Sequence, residues 1–157
     1  MKISILSIGD ELLRGSTTNT NLAAIGRELG AIAQFPVMEM AVKDAEAEIK
    51  DALDILFERS DIIISTGGLG PTSDDVTKNV VAGYFGLLLL EDAEIADRIR
   101  LFWSTRRFGK MPERVLNQAL VPKGAKVLEN KTGTAPGLIV RKRGSRRTVI
   151  MLPGPPH

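Results

Sequence analysis

The residues best suited to chemistry form one short turn, Ser65-Thr66-Gly67-Gly68-Leu69-Gly70-Pro71-Thr72, placed directly after a run of isoleucines. Glycines at the end of a strand let backbone approach a ligand closely. A helix starting after them adds free N–H groups and the positive end of its dipole. That combination suits a phosphate or another oxyanion. The turn is not a Walker A loop, because no Gly-Lys-Ser/Thr follows, and Gly-x-Gly-x-x-Gly is incomplete. A plain tight turn is the alternative.

Asp74 and Asp75 follow directly and are expected in the first turn of the next helix, where its dipole would stabilise them. Two carboxylates beside a bound phosphate would repel it unless something intervenes. A divalent cation bridging carboxylate and phosphate is one solution, magnesium or manganese by its oxygen ligands. The other is an aspartate that orients or deprotonates a ligand hydroxyl. Asp10-Glu11 and Asp44 are expected at the ends of two further strands, hence on the same sheet edge. Each alone reads equally as a helix cap or a solvated side chain.

Positioning these groups requires a particular set of elements. Ile3 to Ile8 reads as a strand buried on both faces. Asn19-Thr20-Asn21 supplies capping side chains, and Leu22, Ile25 and Leu29 stripe a helix that Gly30 stops. Ala33 to Met40 reads as a second strand, with Pro36 marking an edge or a break. Asp44 takes an N-cap place before a helix striped by Ile49, Ala52, Leu53 and Leu56. Asp61 to Thr66 is the clearest strand. A third helix is expected from Thr72 or Ser73 to Phe85-Gly86, and a fourth from Asp92 to Arg107. Leu138-Ile139-Val140 and Val149-Ile150-Met151 flank Gly144-Ser145 as a hairpin. The alternation predicts an α/β fold with a mostly parallel, mixed sheet between two helical layers.

Composition removes several chemistries. There is no cysteine, and the only histidine is His157, so disulfides, thiolates, His triads and Cys or His metal clusters are excluded. Aromatics are 4% of the chain, so the core must be aliphatic. A formal charge of +2 gives no reason to expect a specific nucleic-acid partner. The local excess at Arg141, Lys142, Arg143, Arg146 and Arg147 reads as a solvated hairpin tip that blocks edge pairing, with phosphate or nonspecific nucleic-acid contact as the alternative. With no long apolar run and no signal peptide, the expectation is a cytoplasmic protein without a membrane partner.

Taken in order, the motifs resemble the N-terminal domain of the CinA family (competence/damage-inducible protein A). The matching stretches are Ile8-Gly9-Asp10-Glu11-Leu12-Leu13 with Gly15, Asn19-Thr20-Asn21, and the glycine turn followed by Asp74-Asp75-Val76-Thr77. Asn117-Gln118-Ala119, Asn130, Gly133-Thr134-Ala135-Pro136-Gly137 and Leu152-Pro153-Gly154 complete them. The resemblance implies the three-layer α/β/α sandwich of MoaB/Mog molybdopterin-binding domains. In those relatives a Gly-Gly turn binds the pterin phosphate and two aspartates, matching Asp44 and Asp75, line the pocket.

For CinA-type domains it implies hydrolysis of ADP-ribose to AMP and ribose phosphate with a divalent metal (magnesium, manganese or cobalt). Gly67, Gly68 and Gly70 would then hold the phosphates, with Thr66, Thr72 or Asn19 hydrogen-bonding nearby. Asp44 and Asp75 would be catalytic, and Asp75 with Asp10 would meet the metal. A non-catalytic module holding molybdopterin or a nucleotide is the alternative. Residues 1–157 read as a single domain truncated at its C-terminus, since CinA-type proteins continue past Leu-Pro-Gly, often into an amidase domain. Lys43 departs from the acidic or glycine residue common before that aspartate, which would weaken metal binding. Self-association as a dimer or trimer is expected by analogy.

Overall fold

The computed structural model describes residues 1–106 and 109–154. Six strands form one sheet: β1 (Ile3–Ile8), β2 (Met38–Val42), β3 (Ile62–Thr66), β6 (Lys126–Leu128), β7 (Gly137–Arg141) and β8 (Thr148–Leu152). Their order is β2-β1-β3-β8-β7-β6. The first four are parallel; β7 runs antiparallel to β8, and β6 to β7. The expected mixed sheet and the late hairpin are both present.

A four-residue helix, α1 (Asp10–Leu13), follows β1, and the longer helices lie on the two faces as the strand periodicity dictates. On one face α2 (Thr20–Ala31) presents Leu22, Ile25 and Leu29 to Ile5 and Ile64. On the other, α3 (Glu46–Phe57), α4 (Thr77–Phe85) and α5 (Ala93–Thr105) cover Leu6, Ile63, Leu138, Val149 and Met151. A short ladder of β4 (Leu89–Glu91) with β5 (Leu120–Pro122), and a 3-10 helix at Glu113–Ala119, were not expected. Among the described residues no helix is long and apolar enough to cross a membrane.

Four boundaries differ from expectation. β2 begins after Pro36, whose missing N–H ends the extended pairing, and it is the edge strand. α2 runs through Gly30 to Ala31 and closes by a Schellman motif: Gln34 N–H donates to the Leu29 carbonyl and Ala33 N–H to the Gly30 carbonyl. The left-handed residue of that motif is Ala33, at φ 54°. α4 starts at Thr77, so Asp74 and Asp75 precede it in a loop. Ala45, not Asp44, is the boundary residue of α3, and it offers no side-chain cap. The other caps match expectation: Asn19 accepts from Leu22 N–H at 3.1 Å and Asp92 from Ile95 N–H at 3.0 Å. α5 is assigned to Thr105, and Arg107 lies outside the described residues.

Ala33→Gly should raise unfolding free energy by about 0.5–1 kcal/mol, the left-handed penalty of a Cβ less the entropy cost of glycine. A higher urea midpoint at unchanged m-value is the expected result; a lower midpoint would show that the alanine conformation is unstrained.

Candidate functional site

The strand register brings four carboxyl ends to one edge. Ile8 pairs beside Val42, Ser7 beside Thr66, and Thr66 beside Leu152. Backbone bonds continue the ladder one step further, from Gly9 N–H to the Val42 carbonyl and from Gly67 N–H to the Leu152 carbonyl. Beyond this edge lies a cavity of about 920 Å³. In parallel sheets this is where ligands bind. The sequence-derived residues Asp10, Asn19, Asp44, Thr66, Gly67, Gly68, Gly70, Thr72 and Asp75 all line it.

The glycine turn is shaped by close approach. Gly67 has φ 102° and Gly68 φ 67°, the left-handed region that favours glycine. A Cβ on Gly67 would collide with the Ile8 carbonyl oxygen, and one on Gly68 with the Thr77 hydroxyl. At Gly70 a Cβ would meet an Asp75 carboxylate oxygen at 2.6 Å. Thr77, buried at the start of α4, ties the turn down: its hydroxyl donates to the Gly67 carbonyl at 3.1 Å and its N–H to that of Gly68 at 3.3 Å.

Asp75 closes the following loop on itself. Its Oδ2 accepts from the Thr72 N–H at 2.7 Å and from the Thr72 hydroxyl at 2.5 Å. This local bonding competes with helix formation and explains why α4 starts late. Asp44 and Asp10 interlock: Asp10 N–H donates to Asp44 Oδ2 at 3.1 Å, and Asp44 N–H to Asp10 Oδ1 at 3.2 Å. Asp10 Oδ2 meets Arg14 at 3.0 Å. Asp44 Oδ1 is turned toward Gly68, 3.5 Å from where a Cβ would stand. Lys43, flagged by its type, points away and is exposed, 3.8 Å from Glu48.

All three predicted hydrogen-bonding residues have internal partners, Thr72 by its bonds to Asp75. Asn19 caps α2 with its oxygen and donates from Nδ2 to Ser7 Oγ at 2.8 Å. The buried Thr66 hydroxyl accepts from Asn21 Nδ2 at 2.5 Å and faces the Pro153 carbonyl at 3.5 Å. These bonds fix the orientation of the Asn19 and Thr66 side chains in the cavity wall, and among the described residues the second N–H of Asn19 Nδ2 has no acceptor. Sequence reasoning gave no role to Gln118 or Asn130, which also line the cavity. Asn130 holds its loop in an Asx turn, accepting from Thr132 N–H and Gly133 N–H and donating to the Ala135 carbonyl. Of the last Gly/Pro segment, Pro153 and Gly154 line the cavity, while Pro155 and Pro156 lie outside the described residues. Neither the Arg141–Arg147 hairpin tip nor any other residue of β7 or β8 before Pro153 reaches it.

The electrostatics are one-sided. Among the described residues, Asp10, Glu11, Asp44, Asp74 and Asp75 line the cavity against a single guanidinium, Arg14. Burial pushes the Asp44 carboxyl above its ordinary value, the Asp10 N–H opposes this, and the charges of Glu11, Asp10 and Asp75 add to it. Among the described residues no three carboxylates or histidines stand as a preformed metal cage. Because Asp44 is raised, its contribution to stability is present below its unfolded value and is lost as pH rises through the folded one. Asp44→Asn keeps an acceptor for Asp10 N–H and removes the disfavoured charge. At neutral pH without metal its melting temperature should equal or slightly exceed wild type, the gap closing toward pH 4; a large loss would restore the cap reading.

Comparison with known proteins agrees with this fold. Residues 4–157 match the family described as "Probable molybdopterin binding domain". The crystal structure of CinA from Thermoplasma acidophilum, a protein of unknown function, superposes with a TM-score of 0.86 at 35% identity, covering 98% of this chain and 88% of that one. The chain belongs to the CinA family. A relative named competence-damage inducible protein in Caldicellulosiruptor bescii is 48% identical over 156 residues, which is 99% of this chain and 37% of that protein. The CinA-family chain thus spans little over a third of the curated relatives it matches. MoaB from Thermus thermophilus shares the fold at a TM-score of 0.60 and 24% identity, over 99% of this chain and 82% of that one.

Proposed function

We propose that this CinA-family domain binds a phosphate-bearing nucleotide in the sheet-edge cavity and hydrolyses the diphosphate bond of a nucleoside diphosphate sugar such as ADP-ribose, with a divalent metal. The observation that carries the reading is the pairing of a two-glycine left-handed turn with Asp44 beside Gly68 and Asp75 beside Gly70. Backbone at the turn can approach phosphate closely, and the two carboxylates flank that turn.

Five carboxylates and one guanidinium are a poor host for a bare diphosphate. Magnesium-like ions are commonly held by one or two carboxylates plus substrate phosphates, and Asp75 and Asp10, both lining the cavity, would be the holders. Such an ion, whether magnesium, manganese or cobalt, would neutralise phosphate charge and make water more acidic. Asp44 supplies the base: Oδ2 is fixed by the Asp10 N–H, and Oδ1 is the oxygen that takes the proton from the attacking water. Water adds to one phosphorus, the P–O–P bond breaks, and AMP and ribose phosphate leave.

The test is AMP release from ADP-ribose with each metal and with chelator. Release that chelator stops supports the reading, and no release with any metal overturns it. The second reading, a molybdopterin-holding module, draws on the family description. Tight pterin binding without turnover of ADP-ribose would favour it. We further propose a cytoplasmic homo-oligomer, dimer or trimer. The exposed Ile32, Phe35 and Val37, grouped after α2, support self-association, and a monomeric mass by light scattering would exclude it.

A further inference from the structure

Gln118 is 4% exposed, lines the cavity, and its Oε1 has no hydrogen-bond partner among the described residues. The other unpartnered buried oxygens, on Ser4 and Ser65, belong to strands and do not line it. The backbone that carries Gln118 is held firmly. Lys78, buried in α4, donates from Nζ to the carbonyl of Asn117 at 2.5 Å, and Ala119 on the other side is fully buried. A carboxamide so anchored, with an orphaned oxygen, costs stability, and such costs concentrate where a ligand supplies the missing partner.

We propose that Gln118 selects the base of the nucleotide, reading an adenine-type edge in which an amino donor sits beside a ring-nitrogen acceptor. This rests on the nucleotide reading above. A carboxamide matches that edge, Oε1 accepting from the amino group while Nε2 donates to the ring nitrogen. As it stands Oε1 is shielded, but the last torsion of glutamine is soft, so a turn of the amide would present both groups to the cavity. None of the described lining residues is aromatic, so stacking on a ring cannot discriminate bases, and edge hydrogen bonds must. On the edge that carries N7, a keto ring such as hypoxanthine presents two acceptors, O6 and N7, so Oε1 finds no donor there and stays unpaired, which is how a buried polar group rejects an analogue. Lys78 is a positioning residue, holding the 3-10 helix against α4.

The test is calorimetric titration of wild type and Gln118→Met with AMP, IMP and ribose 5-phosphate in magnesium. Wild type should bind AMP at least about tenfold more tightly than IMP, a difference of one good hydrogen-bonded pair. In Gln118→Met, AMP affinity should fall to that of IMP while ribose 5-phosphate is unaffected. The melting temperature should hold or rise, because methionine fills similar space without an unpaired polar atom. If Gln118→Met does not fold, Gln118→Asn, which withdraws the amide by one methylene, takes its place with the same expectation for the AMP/IMP ratio. Equal affinities for AMP and IMP in wild type, or an unchanged ratio in the variant, overturn the assignment and leave nucleotide binding standing. A fall in melting temperature with the ratio intact assigns Gln118 a structural role. Binding of none of the three probes overturns the nucleotide reading, and base selection with it.

Discussion

Gly68→Val should abolish nucleotide binding and lower stability by about 2–5 kcal/mol, the sum of a left-handed backbone penalty and overpacking. The position has φ 67°, and its Cβ would press on the hydroxyl of Thr77, which is fully buried and tied to Gly67. Neither the turn nor the start of α4 can yield alone. Thermal unfolding should report a fall of roughly 5–20 °C for a chain of this size. Binding is measured below the new transition, alongside a variant with Arg141, Arg143 and Arg146 neutralised. That hairpin tip lies away from the cavity, so its affinity for ADP-ribose should match wild type. If neutralising the arginines weakens binding more than Gly68→Val does, the site has been misplaced.

Asp75→Asn should lower turnover of ADP-ribose by about 10²-fold or more, the usual cost of removing a group that handles charge or protons at the reacting centre. The amide can still accept from the Thr72 N–H, so the loop keeps part of its closure and the melting temperature should move little. What disappears is the negative charge beside Gly70. Rates and melting temperature measured on one preparation separate the two effects. Full activity in a well-folded Asp75→Asn would move the chemistry to other residues.

Much of this site was legible because it is built from local rules. Short apolar runs fixed β1 and β3, the glycines fixed the turn between β3 and the loop after it, and parallel pairing then forced the strand ends together. The errors have two causes, a distant partner that claims a side chain and a local bond that competes with the expected helix end. Asp44 has the type and place of an N-cap, yet its carboxylate is claimed by Asp10, 34 residues earlier. The start of α4 shifts because Thr72 and Asp75 satisfy each other first. Gly30 looked like a helix stop, but the closure settled on Ala33. The run Leu87-Leu88-Leu89-Leu90 could have suggested β4, though its partner β5 lies some thirty residues on. Gln118 entered the sequence reading only within the Asn117-Gln118-Ala119 resemblance, without a role; an orphaned amide exists only once a wall has formed around it.

The position of β8 sets the order in which the protein can become functional. It lies beside β3, and the Thr66 hydroxyl faces the Pro153 carbonyl across a sequence separation of 87 residues. Such long-range closure is slow, because the entropy of the intervening loop is lost before the pairing rewards it. On the ribosome, then, the glycine turn emerges and waits without its last wall until the hairpin of β7 and β8 has been made and docked. Ligand cannot chaperone the early half of the chain; it can only trap the finished one. Protease resistance conferred by nucleotide should therefore appear all at once, in nascent chains long enough to release Gly154 from the exit tunnel.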